Sequence, residues 1–221
     1  MTQDKIAIFN AGVNGHNVVE LLQRLERDCL SNQPEVVILM IGTNDMLNED
    51  KLLSLNEYRK HYQKLIELIK SKAKLFIMTI PPVNDEYIIN RQPPEMYRDE
   101  SPSAKVNAAN TVIRELASQN DCHLIDLHDI LKKHGGSTAA KDSLFQNEAN
   151  FGIADGVHPT ADGYKVIGEA VYQAVGKLEP GVKTIVCFGD SITYGYKMEG
   201  EGTIVGDSYP AILNKYFNQN N

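Results

Sequence analysis

Three cysteines, Cys29, Cys122 and Cys187, are all that the 221-residue chain contains, and no two stand in a Cys-x-x-Cys spacing. That is too few for a disulfide framework and the wrong spacing for a zinc cage, so they read as small buried hydrophobes in a reducing compartment. No apolar run approaches the roughly 20 residues that span a bilayer. Met1-Thr2-Gln3-Asp4-Lys5 leads straight into Ile6 to Phe9, too brief for a signal-peptide core and without its basic flank. A cytoplasmic protein with no membrane span is expected. Excess positive charge is also missing. There are 22 Lys and Arg against 29 Asp and Glu, net −7, with acids and bases interspersed. Such a surface favours solubility and excludes a generic binder of phosphate backbones, so no nucleic-acid partner is expected. Internal repeats and low-complexity tracts are absent too, and the one linker-like element is Glu179-Pro180-Gly181. At 42% hydrophobic, the chain can bury one ordinary core, which predicts a single domain over residues 1–221.

What is present is alternation. Five short apolar runs, Lys5 to Phe9, Glu35 to Ile41, Lys74 to Ile80, His123 to Leu127 and Thr184 to Phe188, each end in Gly, Pro, Asn or Asp. They have the character of strands buried on both faces. Between them, helical spacing covers about 16–30, 56–71, 103–119 and 160–177, with one more helix near 208–217. In 56–71, Leu65, Leu68 and Ile69 share a face away from Lys64, Glu67 and Lys70. Strand and helix in alternation predict right-handed crossovers and a parallel five-stranded sheet covered on both sides, an α/β three-layer sandwich. The less regular stretches are 82–102, with Pro81-Pro82, Pro93-Pro94, Tyr87, Met96 and Tyr97, and 134–156. The first can be read as a lid or acyl-chain wall, and equally as a surface loop.

In an open parallel sheet the ligand crevice forms beyond the carboxyl ends of the strands. There the chain places Asn10-Ala11-Gly12-Val13-Asn14-Gly15-His16, Gly42-Thr43-Asn44-Asp45 and Gly189-Asp190-Ser191-Ile192-Thr193, while Asp155-Gly156-Val157-His158-Pro159 precedes the helix starting near Thr160. A serine hydroxyl needs a base to remove its proton, and the imidazole needs a carboxylate to fix its tautomer and stabilise its cation. Ser191, His158 and Asp155 fill these roles. The backbone N–H groups of Ser191 and Gly15 and the Asn44 amide are the candidate oxyanion donors. Asp45 and Asp190 read as loop braces, and His16 as a residue near Gly15 that could line the pocket. Taken singly, each has a plainer reading: Ser191 as a helix cap, Asn44-Asp45 as turn formers, Gly12 and Gly15 as turn glycines.

Together, Gly189-Asp190-Ser191, Gly15, Gly42-Thr43-Asn44-Asp45 and Asp155-x-x-His158-Pro159 resemble the four sequence blocks of the SGNH/GDSL hydrolases. The resemblance implies a flavodoxin-like sandwich, hydrolysis of a small-molecule acyl ester, and no cofactor or metal. It assigns nucleophile, base and acid to Ser191, His158 and Asp155, and the oxyanion donors to Ser191, Gly15 and Asn44. The order departs from the family, whose nucleophile block lies near the N-terminus, whereas Ser191 stands 30 residues before the last residue. A circularly permuted chain is expected, joined near 178–183, with sheet order first, last, second, third, fourth. Two rival readings stand beside it: a metal-dependent phosphoesterase using Asp190, Asn44, Asp45, Asp155 and His158 as ligands, and a pocket that binds without turnover.

Overall fold

The computed structural model describes residues 5–218. Five strands, β1 (Ala7–Gly12), β2 (Val36–Met40), β3 (Lys74–Met78), β4 (His123–Ile125) and β5 (Thr184–Gly189), form one sheet in the order β1-β5-β2-β3-β4. Every neighbouring pair is parallel. The expected fold class and strand order are both present. The last strand in sequence is thus second in space, with Ala7 to Gly12 of β1 opposite Thr184 to Gly189 on one side. On the other, Val36 to Met40 of β2 lie opposite Ile185 to Gly189.

The two-residue period of the strands builds two cores. Val37 and Leu39 of β2, Leu75 and Ile77 of β3, and Val186 and Phe188 of β5 face one core. Helices α1 (Val18–Arg24), α2 (Leu55–Lys70) and α3 (Pro102–Gln119) close it. The intervening residues Val36, Ile38 and Met40, Phe76 and Met78, and Ile185 and Cys187 face the other. It is closed by α4 (Leu127–Lys133), α5 (Ala161–Leu178) and α6 (Tyr209–Asn218). Three of the long helices begin where a side chain caps them: Ser54 accepts from Glu57 N–H, Ser101 from Ala104 N–H and Thr160 from Gly163 N–H.

Three sequence expectations are corrected. Strand β1 runs on to Gly12, because Asn10-Ala11-Gly12, which reads as a turn, pairs with Cys187-Phe188-Gly189. Strand β4 stops at Ile125; Asp126 caps from Asp129 N–H, and Leu127 and Leu131, four apart, turn the apolar run into a helix on the second core. The helix expected over 16–30 is α-helical only to Arg24 and continues as a π turn over Leu25–Cys29. The segment 82–102 is not a bare surface loop. Val83, Ile88 and Tyr97 are buried in the first core, and Tyr97 Oη donates to Leu47 O at 3.3 Å. No helix among the described residues is long and apolar enough to cross a membrane.

Candidate active site

Strand β5 ends at Gly189, and Asp190 turns the chain into the short helix Ser191–Tyr194, its Oδ1 accepting Ile192 N–H at 2.9 Å. Ser191 is therefore the first residue of a helical turn at the carboxyl edge of the sheet, where backbone N–H groups lack helical acceptors. The end of β1 passes so close that a Cβ on Gly12 would lie 2.1 Å from Tyr194 N. Only glycine permits that approach.

His158 reaches the serine from the other side. Its Nε2 is 2.9 Å from Ser191 Oγ, and its Nδ1 is 2.9 Å from Asp155 Oδ2. Asp155 is fixed in turn by the N–H groups of Val157 and His158, which donate to Oδ1 at 2.9 and 2.7 Å. With Nδ1 facing a carboxylate, the ring proton belongs on Nδ1, which leaves Nε2 to accept from the serine hydroxyl. Burial alone would raise the Asp155 pKa; the His158 hydrogen bond and charge and the two backbone donors outweigh it and bring it down to about 2. Asp155 is thus ionised at neutral pH.

Gly15 sits in the left-handed region, φ 76°, in the loop after β1. The Asn44 amide donates to His16 O at 2.9 Å, so the Asn44 side chain is tethered to the Gly15-His16 loop. Neither Gly15 N–H nor Ser191 N–H is donated to an acceptor among the described residues. Asp45 and Asp190 are buried behind the site and brace it, Asp45 Oδ1 accepting Val18 N–H at 3.0 Å. His16 is half-buried, with Nδ1 accepting from Arg24 Nε at 3.1 Å. Among the described residues no three His, Cys, Asp or Glu side chains converge as a metal would require.

Three residues at the site carry no sequence signal. The Tyr196 ring packs on the His158 imidazole, centroids 4.7 Å apart and planes at 46°. Gln146, fully buried, donates its backbone N–H to His158 O at 2.8 Å and its side-chain Nε2 to Pro159 O at 3.1 Å. Arg24 is a buried cation beneath the crevice. Gln in an irregular stretch and Arg in a helix are ordinary, and only the fold turns them inward.

The chain is similar to several known proteins. Acetylxylan esterase of Geobacillus stearothermophilus is 24% identical over 179 residues, spanning 77% of this chain and 73% of that protein. An uncharacterised lipoprotein of Bacillus subtilis, YqeF, is 25% identical over 177 residues, 74% of this chain and 71% of it. Among solved structures, a lipase/acylhydrolase from Enterococcus faecalis superposes with a TM-score of 0.58 at 23% identity, covering 75% of this chain and 74% of its own. The acetyl xylan esterase AlAXEase does so with a TM-score of 0.58 at 24% identity, covering 75% and 79%. The family model for GDSL-like lipases and acylhydrolases matches residues 2–166. On that match the chain belongs to the GDSL-like lipase/acylhydrolase family and is a carboxylic ester hydrolase.

Proposed function

We propose that the protein cleaves its ester through an acyl-enzyme intermediate on Ser191. The observation that carries this is the unbroken line Asp155–His158–Ser191, with 2.9 Å at each link. Ser191 Oγ attacks the ester carbonyl while His158 Nε2 takes its proton, and ionised Asp155 stabilises the imidazolium that forms. The Ser191 and Gly15 N–H groups and the Asn44 amide receive the negative charge that develops on the carbonyl oxygen. Collapse of the tetrahedral intermediate returns the proton from His158 to the departing alcohol. Water, deprotonated by the same nitrogen, then releases the acid and restores the serine. A metal-dependent phosphoesterase would need converging ligands, and here the Asp155 carboxylate is committed to His158.

The substrate class that fits best is a small acyl ester, acetyl on a carbohydrate among them, a reading supported by the acetylxylan esterase among the relatives. The cytoplasmic assignment is supported by three unpaired cysteines. The test is hydrolysis of p-nitrophenyl esters from acetyl to decanoyl, and acetate release from acetylated xylo-oligosaccharides, by the wild type and Ser191→Ala, with and without EDTA. Loss of turnover in the mutant, indifference to EDTA and preference for the shortest acyl chain are expected. Turnover that survives the mutation would overturn the serine mechanism, and a preference for decanoyl would overturn the small-acyl reading.

A further inference from the structure

We infer that Arg24 is a positioning residue for the oxyanion hole, its buried guanidinium tying together the loops that carry all three donors. This rests on the assignment of Ser191, Gly15 and Asn44 made above. Arg24 is the last residue of α1, 3% exposed, where the helix widens into the π turn, a distortion common at functional sites. Its planar fork is spent on separate segments. Nη2 donates to Gly189 O at 2.7 Å, two residues before Ser191. Nη1 donates to Ala11 O at 2.9 Å, at the end of the strand that leads to Gly15. Nε donates to His16 Nδ1 at 3.1 Å, on the residue after Gly15. His16 O in turn accepts the Asn44 amide at 2.9 Å, so the third donor is linked through the second.

Each contact needs the fork. A lysine ammonium would supply the charge but not donors fixed in one plane toward two strand ends and a loop. The guanidinium also lies over the Phe188 ring, 4.6 Å from its centroid, which fixes its plane. Burial and the adjacent Arg24 charge lower the His16 pKa from its ordinary value, which favours the neutral ring and keeps Nδ1 an acceptor for Nε–H. One carboxylate, Asp28, meets Arg24, at 3.3 Å on the more exposed side. Nothing in this set touches His158 or Asp155. Arg24 therefore governs where the donors stand and leaves the proton-transfer pair alone.

The experiment compares wild type with Arg24→Lys and Arg24→Gln for kcat and KM on p-nitrophenyl acetate, the pH profile of kcat/KM, and affinity for an alkyl boronic acid, which forms a tetrahedral adduct on the serine. Displacing the donors by an ångström is expected to lower kcat by about 100-fold, with KM nearly unchanged. Boronate affinity should fall in parallel with kcat, while the acid limb of the pH profile keeps its midpoint. Should the Arg24 variants fail to fold, His16→Ala removes only the Nε tether and should show the same pattern in milder form, with His16→Gln, which offers an acceptor, recovering most of the loss. Folded variants with unchanged kcat, a kcat loss without loss of boronate affinity, or a moved acid limb would each overturn the inference. If Ser191→Ala abolishes turnover while Arg24→Lys keeps it, this inference alone falls; if Ser191→Ala keeps turnover, the underlying assignment falls with it.

Discussion

Asp45 makes the stability of the protein depend on pH in a direction opposite to the usual one for carboxylates. It is fully buried, Oδ1 accepts one backbone N–H, and Oδ2 has no hydrogen-bond partner among the described residues. Burial pushes its pKa from the ordinary 3.8 up to about 7; the Val18 N–H pulls the other way, and the charge of Asp190 adds to the rise. Between the two values the folded protein binds a proton that the unfolded chain has released, so stability is lost as pH rises from about 4 to about 7 and is level above that. A difference of about three pKa units corresponds to about 4 kcal/mol over the whole window, of which about 3 kcal/mol falls between pH 5 and pH 8.

Asp45→Asn keeps an oxygen for Val18 N–H and cannot titrate. Near pH 5, where Asp45 is neutral, mutant and wild type should be about equally stable. At pH 8 the mutant should be the more stable by about 3 kcal/mol, roughly 1 M in the urea midpoint. Urea unfolding of both proteins from pH 5 to 9 measures this, and groups common to both cancel in the difference. Asp190, pushed up to about 6 by burial, adds a similar slope that ends earlier, and it persists in the Asp45 mutant. Parallel pH slopes in the two proteins would refute the reasoning, since Asp45 would then be ordinary in its proton affinity despite its burial.

Two further outcomes rest on the backbone. A Cβ on Gly12 would meet the Ser191–Tyr194 turn at Tyr194 N, a contact no side-chain rotation relieves. Gly12→Ala should therefore cost about 3 kcal/mol, lowering the thermal midpoint by roughly 6–12 °C; a midpoint within about 2 °C of wild type would show that the strand can shift away. We also propose that the chain is a circular permutant of its family's order. Support comes from the family match, which ends at residue 166, before the strand that leads to Ser191. Ile6 and Asn218, near the two limits of the described residues, lie together, since Asn218 Oδ1 accepts Ile6 N–H at 2.8 Å and its Nδ2 donates to Ile6 O at 2.9 Å. A chain cut between the exposed Pro180 and Gly181, with its old ends joined through residues 219–221 and 1–4, should fold and keep kcat within about threefold. Failure to fold would refute the equivalence of the two orders.

The strands were legible because a run buried on both faces leaves little else for the chain to be, and four of the helices start within one residue of their expected positions because Ser54, Ser101 and Thr160 cap them and the Tyr209–Asn218 segment keeps its spacing. Two of the boundaries that failed share one cause: pairing or packing elsewhere overrode a local signal. Asn10-Ala11-Gly12 is a turn by composition and a strand because β5 offers it a ladder. Asp126 lies inside an apolar run and ends the strand because it caps the helix beginning at Leu127, whose apolar face the second core receives. The pairing of His158 with Asp155 was legible for the opposite reason, since the two are three residues apart and share one turn of backbone.

The hardest residues to foresee are those whose partners lie far along the chain. Arg24 in Leu-Leu-Gln-Arg-Leu looks like the charged face of an amphipathic helix. Its inward path exists because β5, from the far end of the sequence, inserts beside β1 and presents Gly189 O to it, 165 positions away. A buried arginine costs the desolvation of a full charge, and that cost is offset only where several oriented acceptors are already in place. Those acceptors are the carbonyl ends of two parallel strands, and the open edge they form is also where the candidate oxyanion donors gather. The same topology thus brings the crevice and the cation beneath it together, and no periodicity in the sequence records either.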